Sequence, residues 1–311
     1  MTVSCRSDLR RMLERADDQK GLALVITLLA LALVTAMVVE FSYAVYTGTN
    51  NLYNWRDSQR LSLMSRSGIN VLQRHLQDLL TAGQIRYPSM EFPVANPFDY
   101  FAGEILVRIE DEHSKFNVNT IVFSQRSERN EIAYASFRRL LQVLSLDEKI
   151  ADHVVEWIIK RRESGLSASG TSQKYYVLPS TDELLLIDGI SRKDYDTLLP
   201  YVTVYGPPND ISVNVNGAGK PVLMSISDPR TGEFPITEDR AERIIQYRSH
   251  MPFENFGQFN NYAVTNFSSD RVATEGRFFT VKSIASSGGI KRIIETVCDT
   301  STGKIRHWQE Y

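Results

Sequence analysis

KGLALVITLLALALVTAMVV, residues 20–39, decides how the rest of this chain is read. From Leu22 to Val39 about eighteen residues run apolar, and only Thr27 and Thr35 interrupt them as mild polar groups. At ~1.5 Å per residue the run covers about 27 Å, close to the hydrocarbon thickness of a bilayer. Glu40 and Ser42 mark its far edge, and Tyr43, Tyr46, Tyr53 and Trp55 follow as an interfacial aromatic belt would. Arg6, Arg10, Arg11, Arg15 and Lys20 precede it. Orientation rules count basic residues and give acids little weight, so the leader is expected on the cytoplasmic side and the long C-terminal part across the membrane.

The step Lys20-Gly21-Leu22, set directly before the apolar run, is what a prepilin peptidase cuts. Cleavage there predicts a leader of residues 1–21 and a mature chain opening at Leu22. A cleaved secretory signal is the competing reading, because Ser42-Tyr43-Ala44 offers a small-x-small site. Against it, the run exceeds the ~7–15 residues of a signal core and Glu40 is an awkward neighbour for that site.

Helical character continues past the membrane. After Tyr46 no proline occurs until Pro88, and Leu61, Met64, Gly68, Leu72, Leu76 and Leu79 recur at steps of three and four, with Ile69 and Leu80 beside them. Arg60, Arg66, Arg74 and Asp78 fall between, so the stripe is amphipathic and predicts a helix with one face on a soluble domain, stopping near Gly83.

The chain end reads as a meander. Residues 277–285 and 290–299 are strand-like around the turn Ser286-Ser287-Gly288-Gly289, and Thr300-Ser301-Thr302-Gly303 turns into a third strand, 304–311. Three antiparallel strands need a helix across one face, and the stripe at 61–79 is the available partner. Residues 119–275 read differently: helices are expected at 133–146, 150–162, 181–186, toward Leu199-Pro200, and at 238–249. The fold class expected is α+β: a long N-terminal helix on a small antiparallel sheet, with a large inserted all-helical domain. The boundaries are 1–21 leader, 22–81 helix (transmembrane 22–44), 82–118 plus 276–311 sheet domain, and 119–275 insertion. Phe116-Asn117-Val118-Asn119 and Val213-Asn214-Val215-Asn216 open two sub-modules of that insertion.

Composition excludes several classes. The 311 residues carry a formal net charge of −2, with 42% hydrophobic and 23% charged residues, so bulk electrostatics do not favour nucleic acid. Of two cysteines, Cys5 lies in the leader and Cys298 reads as a buried strand residue, so a mature chain forms no internal disulfide. His75, His113, His153, His250 and His307 show no metal-ligand spacing, and no nucleophile elbow or phosphate loop occurs, so no catalytic residues are assigned. Glu110, Asp111, Glu112 and His113 read as a solvated charged face, Lys160-Arg161-Arg162 as a solvated helix end, and residues 165–170 as a flexible loop. The helical repeats look like SAM-like or helix-hairpin-helix modules. Asp182, Glu183, Asp188, Asp194 and Asp196 outweigh Arg192 and Lys193 there, which opposes phosphate binding.

Together these features resemble the K-class minor pseudopilins (the GspK family) of type II secretion systems, over nearly the whole chain. The resemblance rests on Lys20-Gly21 before the apolar helix, on the two Asn-Val-Asn openings, and on two helical segments. The first is residues 183–190 (ELLLIDGI) with Tyr195 and Leu199-Pro200-Tyr201-Val202-Thr203; the second is residues 241–248 (AERIIQYR) with Pro252-Phe253. It implies an inner-membrane, periplasm-facing subunit at the tip of a short pseudopilus that drives folded proteins through an outer-membrane channel. Implied partners are I- and J-class minor pseudopilins, the major pseudopilin, prepilin peptidase and secreted substrate proteins; nucleic acid is not among them. A minor pilin of a type IV pilus, or a single-span periplasmic binding protein with helix-hairpin-helix repeats, are the alternatives.

Two departures from that pattern matter. Most pilin-like subunits carry glutamate at the fifth mature position, where this chain has Ile26. A carboxylate in lipid needs a partner, and a subunit with no neighbour ahead of it needs no such pair, as is typical of the K class. K-class relatives also carry an acidic Asp-Trp-Ile-Asp-x-Asp run and a later Gly-Ala-Glu-Asp associated with calcium. Here the matching stretches are Glu156-Trp157-Ile158-Ile159-Lys160-Arg161 and Gly170-Thr171-Ser172-Gln173-Lys174, which lack the oxygen ligands, so no calcium and no other cofactor is expected.

Overall fold

The computed structural model describes residues 4–81, 88–98, 101–123, 128–163, 176–228 and 230–311. Gly83, the loop at 165–170 and the stretch Gly170–Lys174 lie outside the described residues. Helix α1, Ser4–Thr81, is continuous over 78 residues. The chain divides into two compact units, residues 1–60 and 61–311.

In the second unit, five antiparallel strands lie in the order β1-β2-β7-β8-β9. They are β1 (Ser89–Val94), β2 (Glu104–Asp111), β7 (Phe278–Ser287), β8 (Ile290–Asp299) and β9 (Lys304–Glu310). The three C-terminal strands fall where turn chemistry placed them. Gly288 and Gly289 sit between paired Ser287 and Ile290 with φ of 55° and 83°, the two positive angles that a tight hairpin requires. β1 and β2 widen the sheet beyond the three strands expected. β2 alternates buried Ile105, Val107 and Ile109 with outward Glu104, Leu106 and Arg108, a strand pattern that its sequence does carry.

The expected amphipathic stripe forms the floor of this core. Leu61, Met64, Ile69, Leu72 and Leu76 pack on Ile105, Val107, Ile109, Phe279, Val281, Ala285, Ile294 and Cys298. Each such fully buried side chain contributes about 1.5–3 kcal/mol. Gly68 sets the closest approach: a Cβ there would lie 2.3 Å from Ser283 Oγ and 3.1 Å from Ile105 Cγ2. One turn away, Ser65 Oγ donates to the Ser283 carbonyl at 2.6 Å. Cys298 is buried on β8, as its setting predicts.

Between β2 and β7 the chain leaves the sheet and builds a second core. It contains α2 (Glu131–Val143), α3 (Lys149–Glu163), α4 (Arg192–Leu198), α5 (Lys220–Met224), α6 (Glu238–His250) and α7 (Phe256–Ala263), with short 3-10 turns at Thr181–Leu186 and Leu199–Tyr201. The region is not purely helical. β3 (Phe116–Asn117) pairs in parallel with β4 (Val202–Thr203), and β5 (Val213–Asn214) with β6 (Val272–Ala273). Two-residue ladders carry no periodicity for a sequence to display.

These ladders give the Asn-Val-Asn echo a physical meaning. Asn119 donates to the carbonyls of Leu178 (3.0 Å) and Val204 (2.9 Å) and accepts from Leu178 N (2.7 Å). Asn216 donates to the carbonyls of Phe253 (2.9 Å) and Thr274 (2.8 Å) and accepts from Phe253 N (2.8 Å). Asn117 and Asn214 each accept from the backbone N–H two residues on, at 3.0 Å. Each repeat is therefore opened by an Asx turn and closed by a buried amide that ties its start to its middle and its end. Arg271 bridges the two: its buried guanidinium donates to Ser136 Oγ of the first repeat (3.1 Å) and to Ser227 Oγ of the second (3.0 Å).

Candidate functional site

Within residues 1–60, Lys20, Gly21, Leu22 and Ile26 all lie inside α1. A Cβ at Gly21 would meet nothing within 4 Å, and Leu22 and Ile26 are exposed, so among the described residues no side chain crowds Gly21. The apolar surface is complete around the helix, since Leu24, Val25, Ile26, Leu28, Leu33 and Val34, which point to all sides of it, are exposed. A helix apolar all round has no soluble reason to be so. Its few hydroxyls are satisfied within the helix. Thr27 Oγ1 donates to the Leu24 carbonyl (2.8 Å), Thr35 Oγ1 to Leu31 (2.8 Å) and Ser42 Oγ to Val38 (2.7 Å). This is the condition for a helix in hydrocarbon, where no water can take up a free polar group. Among the described residues it is the one helix long and apolar enough to span a bilayer.

In the second unit, the point where β2 hands over to the first repeat corrects the sequence reading. Glu110–His113 is not a solvated face: Asp111 and Glu112 are 2% and 3% exposed. Asp111 accepts from Ser114 Oγ, from Asn214 Nδ2 (2.7 Å) and from the His113 N–H (3.0 Å), so its carboxylate joins the exit from the sheet to the start of the second repeat. Burial pushes this carboxyl up to about 6, against the lowering pull of Ser114, the His113 charge, Asn214 and the His113 backbone. Gly276 and Gly217 close over it; a Cβ at Gly276 would lie 2.3 Å from Asp111 Oδ1. Glu112 pairs with Lys115 Nζ at 2.8 Å and accepts from Thr280 Oγ1 of β7 at 2.7 Å. Charge in this stretch hid a buried junction, because a run of acids reads as solvent-facing until its partners are known.

The remaining candidates stay apart. No group of three or more His, Cys, Asp or Glu side chains able to hold a metal occurs among the described residues. Among the described residues 156–161 of the calcium-related stretch, Glu156 is the one carboxylate and is exposed on α3, and the Arg161 guanidinium lies 4.5 Å over the Trp157 ring. One oxygen donor beside a stacked cation does not fit a hard divalent ion. Lys160 is exposed as expected, but Arg162 turns inward and donates to the Tyr176 carbonyl at 3.0 Å.

A family model described as type II secretion system (T2SS), protein K, matches residues 114–208, the first helical repeat and its exit. The chain is 28% identical over 321 residues to the type II secretion system protein K of Pseudomonas aeruginosa, covering 93% of this chain and 91% of that one. Its fold is similar to a chain in the crystal structure of the GspK-GspI-GspJ complex from the enterotoxigenic Escherichia coli type 2 secretion system. That likeness has a TM-score of 0.60 at 15% identity, over 84% of this chain and 97% of that one. With a helix-on-sheet core and a helical region between β2 and β7, the chain is similar to protein K of type II secretion systems over most of its length.

Proposed function

We propose that the chain acts as a minor pseudopilin at the tip of a type II secretion pseudopilus. In this reading the prepilin peptidase cuts between Gly21 and Leu22. Residues 22–44 hold the protein in the inner membrane as a single span, and everything beyond lies in the periplasm. The observation that carries this is α1 itself. The helix exposes a self-satisfied apolar surface around Leu24–Phe41 and then buries Leu61–Leu76 on an antiparallel sheet. One helix thus carries a membrane anchor and a folded head.

The role is structural, with no catalysis and no cofactor of its own. The solved neighbour is a complex of K-, I- and J-class subunits. By extension, this chain assembles with I- and J-class minor pseudopilins and then with the major pseudopilin. Ile26 supports the tip position, because a subunit with nothing ahead of it has no amine to pair with a membrane carboxylate.

N-terminal sequencing of the membrane-extracted protein tests the anchor: Leu22 as first residue is expected, and Val45 would replace the reading with a cleaved secretory signal. Affinity purification from secretion-competent membranes tests the assembly. I- and J-class subunits should co-purify, and recovery with type IV pilus subunits instead would move the protein to a pilus.

A further inference from the structure

The helix α1 covers one face of the sheet; the opposite face carries a cleft. Strand register places Lys282 opposite Glu295, one position off the buried Ser283 and Ile294, so both point away from α1. The first helical repeat leans over this face through Asp182, Tyr195, Tyr201 and Tyr205, enclosing a cavity of about 600 Å³. That volume lies in the range of sites that take a ligand. β9 supplies His307 and Gln309 to the wall, and Tyr311 follows just past its end.

We propose that this cleft docks an arginine-bearing, extended segment of a partner protein. Charge argues first. The carboxyls of Glu110, Asp111, Glu112, Asp182 and Glu295 line the cavity against the ammonium groups of Lys115 and Lys282 only. The two lysines are spent internally, Lys115 on Glu112 at 2.8 Å and Lys282 on Glu295 at 3.1 Å. The excess negative field reaches the Tyr205 hydroxyl, whose ionisation is disfavoured by burial first and then by Glu112, Glu295 and Asp182.

The walls argue next. Aromatic faces beside carboxylates suit a guanidinium, which stacks on a ring and donates in its own plane. Tyr205 supplies the face and is braced by His307, their ring centres 5.8 Å apart, while the hydroxyl of the buried Tyr195 donates to Asp182 at 2.7 Å and holds that carboxylate in place. Side chains held in this way lose little freedom on binding.

The edge of the sheet argues for an extended chain rather than a small cation. β9 is the outer strand, so one row of its backbone N–H and C=O groups faces away from β8 at the rim of the cleft. A strand laid along that row satisfies both sets of groups while its arginine enters the cleft. This inference concerns the folded head alone and does not depend on where the protein sits in a fibre.

The test is fluorescence anisotropy of the full-length protein in detergent, with a labelled peptide carrying Arg-Gly-Arg between threonine and valine residues. Saturable binding that weakens with salt is expected. Replacing arginine by glutamate should abolish it. Asp182→Asn combined with Glu295→Gln should weaken it at least about ten-fold, while Asp188→Asn, just past the Thr181–Leu186 turn and outside the cleft, should leave it unchanged. Tyr205→Leu offers a second reading that keeps the charges and should weaken binding about five-fold or more. The proposal is overturned by absence of saturable binding, by equal binding of the cleft and Asp188 variants, or by spermidine displacing the peptide at equal concentration. The last result would mark a general polycation surface rather than a peptide site.

Discussion

Asn119 and Asn216 each hold two carbonyls and one N–H away from water with a single amide. Asn119→Ala or Asn216→Ala leaves those groups buried without partners, a loss of about 3 kcal/mol for each variant by urea unfolding. Native-state hydrogen exchange should localise each loss to its own repeat; a loss spread over both would show that the repeats do not close independently. Asp111 is the residue where acidity should register. Its folded pKa of about 6 stands above the ordinary 3.8, so the folded state holds this proton more tightly than the unfolded chain. That contribution is fully present below the unfolded value and is lost as pH rises through about 6, at most about 3 kcal/mol. Between pH 4 and 7, Asp111→Asn should flatten the fall in thermal stability, and an unchanged slope would place its origin elsewhere. Asp299 works in the other direction. Burial raises its pKa, but hydrogen bonds from Ser301, Arg306, Arg277 and Thr302 outweigh that and hold the carboxyl far below the usual range. Its stabilisation is present above the unfolded value and lost only as strong acid protonates it, outside the Asp111 window.

At the scale of elements, α1 meets the sheet through Gly68. The obstacle to a side chain there is Ser283 Oγ, a buried hydroxyl with no hydrogen-bond partner. Gly68→Ala gains about 1 kcal/mol of helix propensity and meets that hydroxyl. The single variant should therefore be near neutral or mildly destabilising, whereas Gly68→Ala with Ser283→Ala should exceed the parent in stability. A double-mutant cycle by thermal unfolding checks this, with a coupling of about 1 kcal/mol expected. Gly68→Leu cannot be rescued so simply, because Ile105 and Val107 also close on the site, and a loss of about 2 kcal/mol or more is expected. The amphipathic stripe was legible because its period of three to four residues is set by helix geometry and repeats over several turns. β1 was not, since Pro93 interrupts its strand pattern, whereas β2 does show Ile105, Val107 and Ile109 at alternate positions.

For the molecule as a whole, the membrane segment carries the strongest expectation. Ile26→Glu puts a carboxylate into hydrocarbon at a cost of about 3 kcal/mol unless a neighbour pairs with it. At a tip position no subunit ahead supplies an amine, so this variant should lower secretion of a reporter substrate without changing folding of the head. Equal secretion would place the chain inside the fibre, where the charge finds its partner. Gly21→Leu tests the leader independently, since the unprocessed precursor should accumulate in the membrane on a gel.

The sequence by itself determined the apolar run at Leu22–Val39, the stripe at Leu61–Leu76, the C-terminal hairpin and the likeness to protein K of type II secretion systems. Each rests on local regularities: an unbroken apolar run, a helical period, and paired glycines at positive φ. Only the tertiary structure decided what the polar residues do. Whether Asp111 faces water or a buried junction depends on Asn214, distant in sequence, and the Asn-Val-Asn openings become clamps only when residues 178, 204, 253 and 274 come to them. Burial of an apolar residue follows from its own chemistry and period, whereas burial of a polar one depends on partners that the chain supplies from far away, and no local pattern records them.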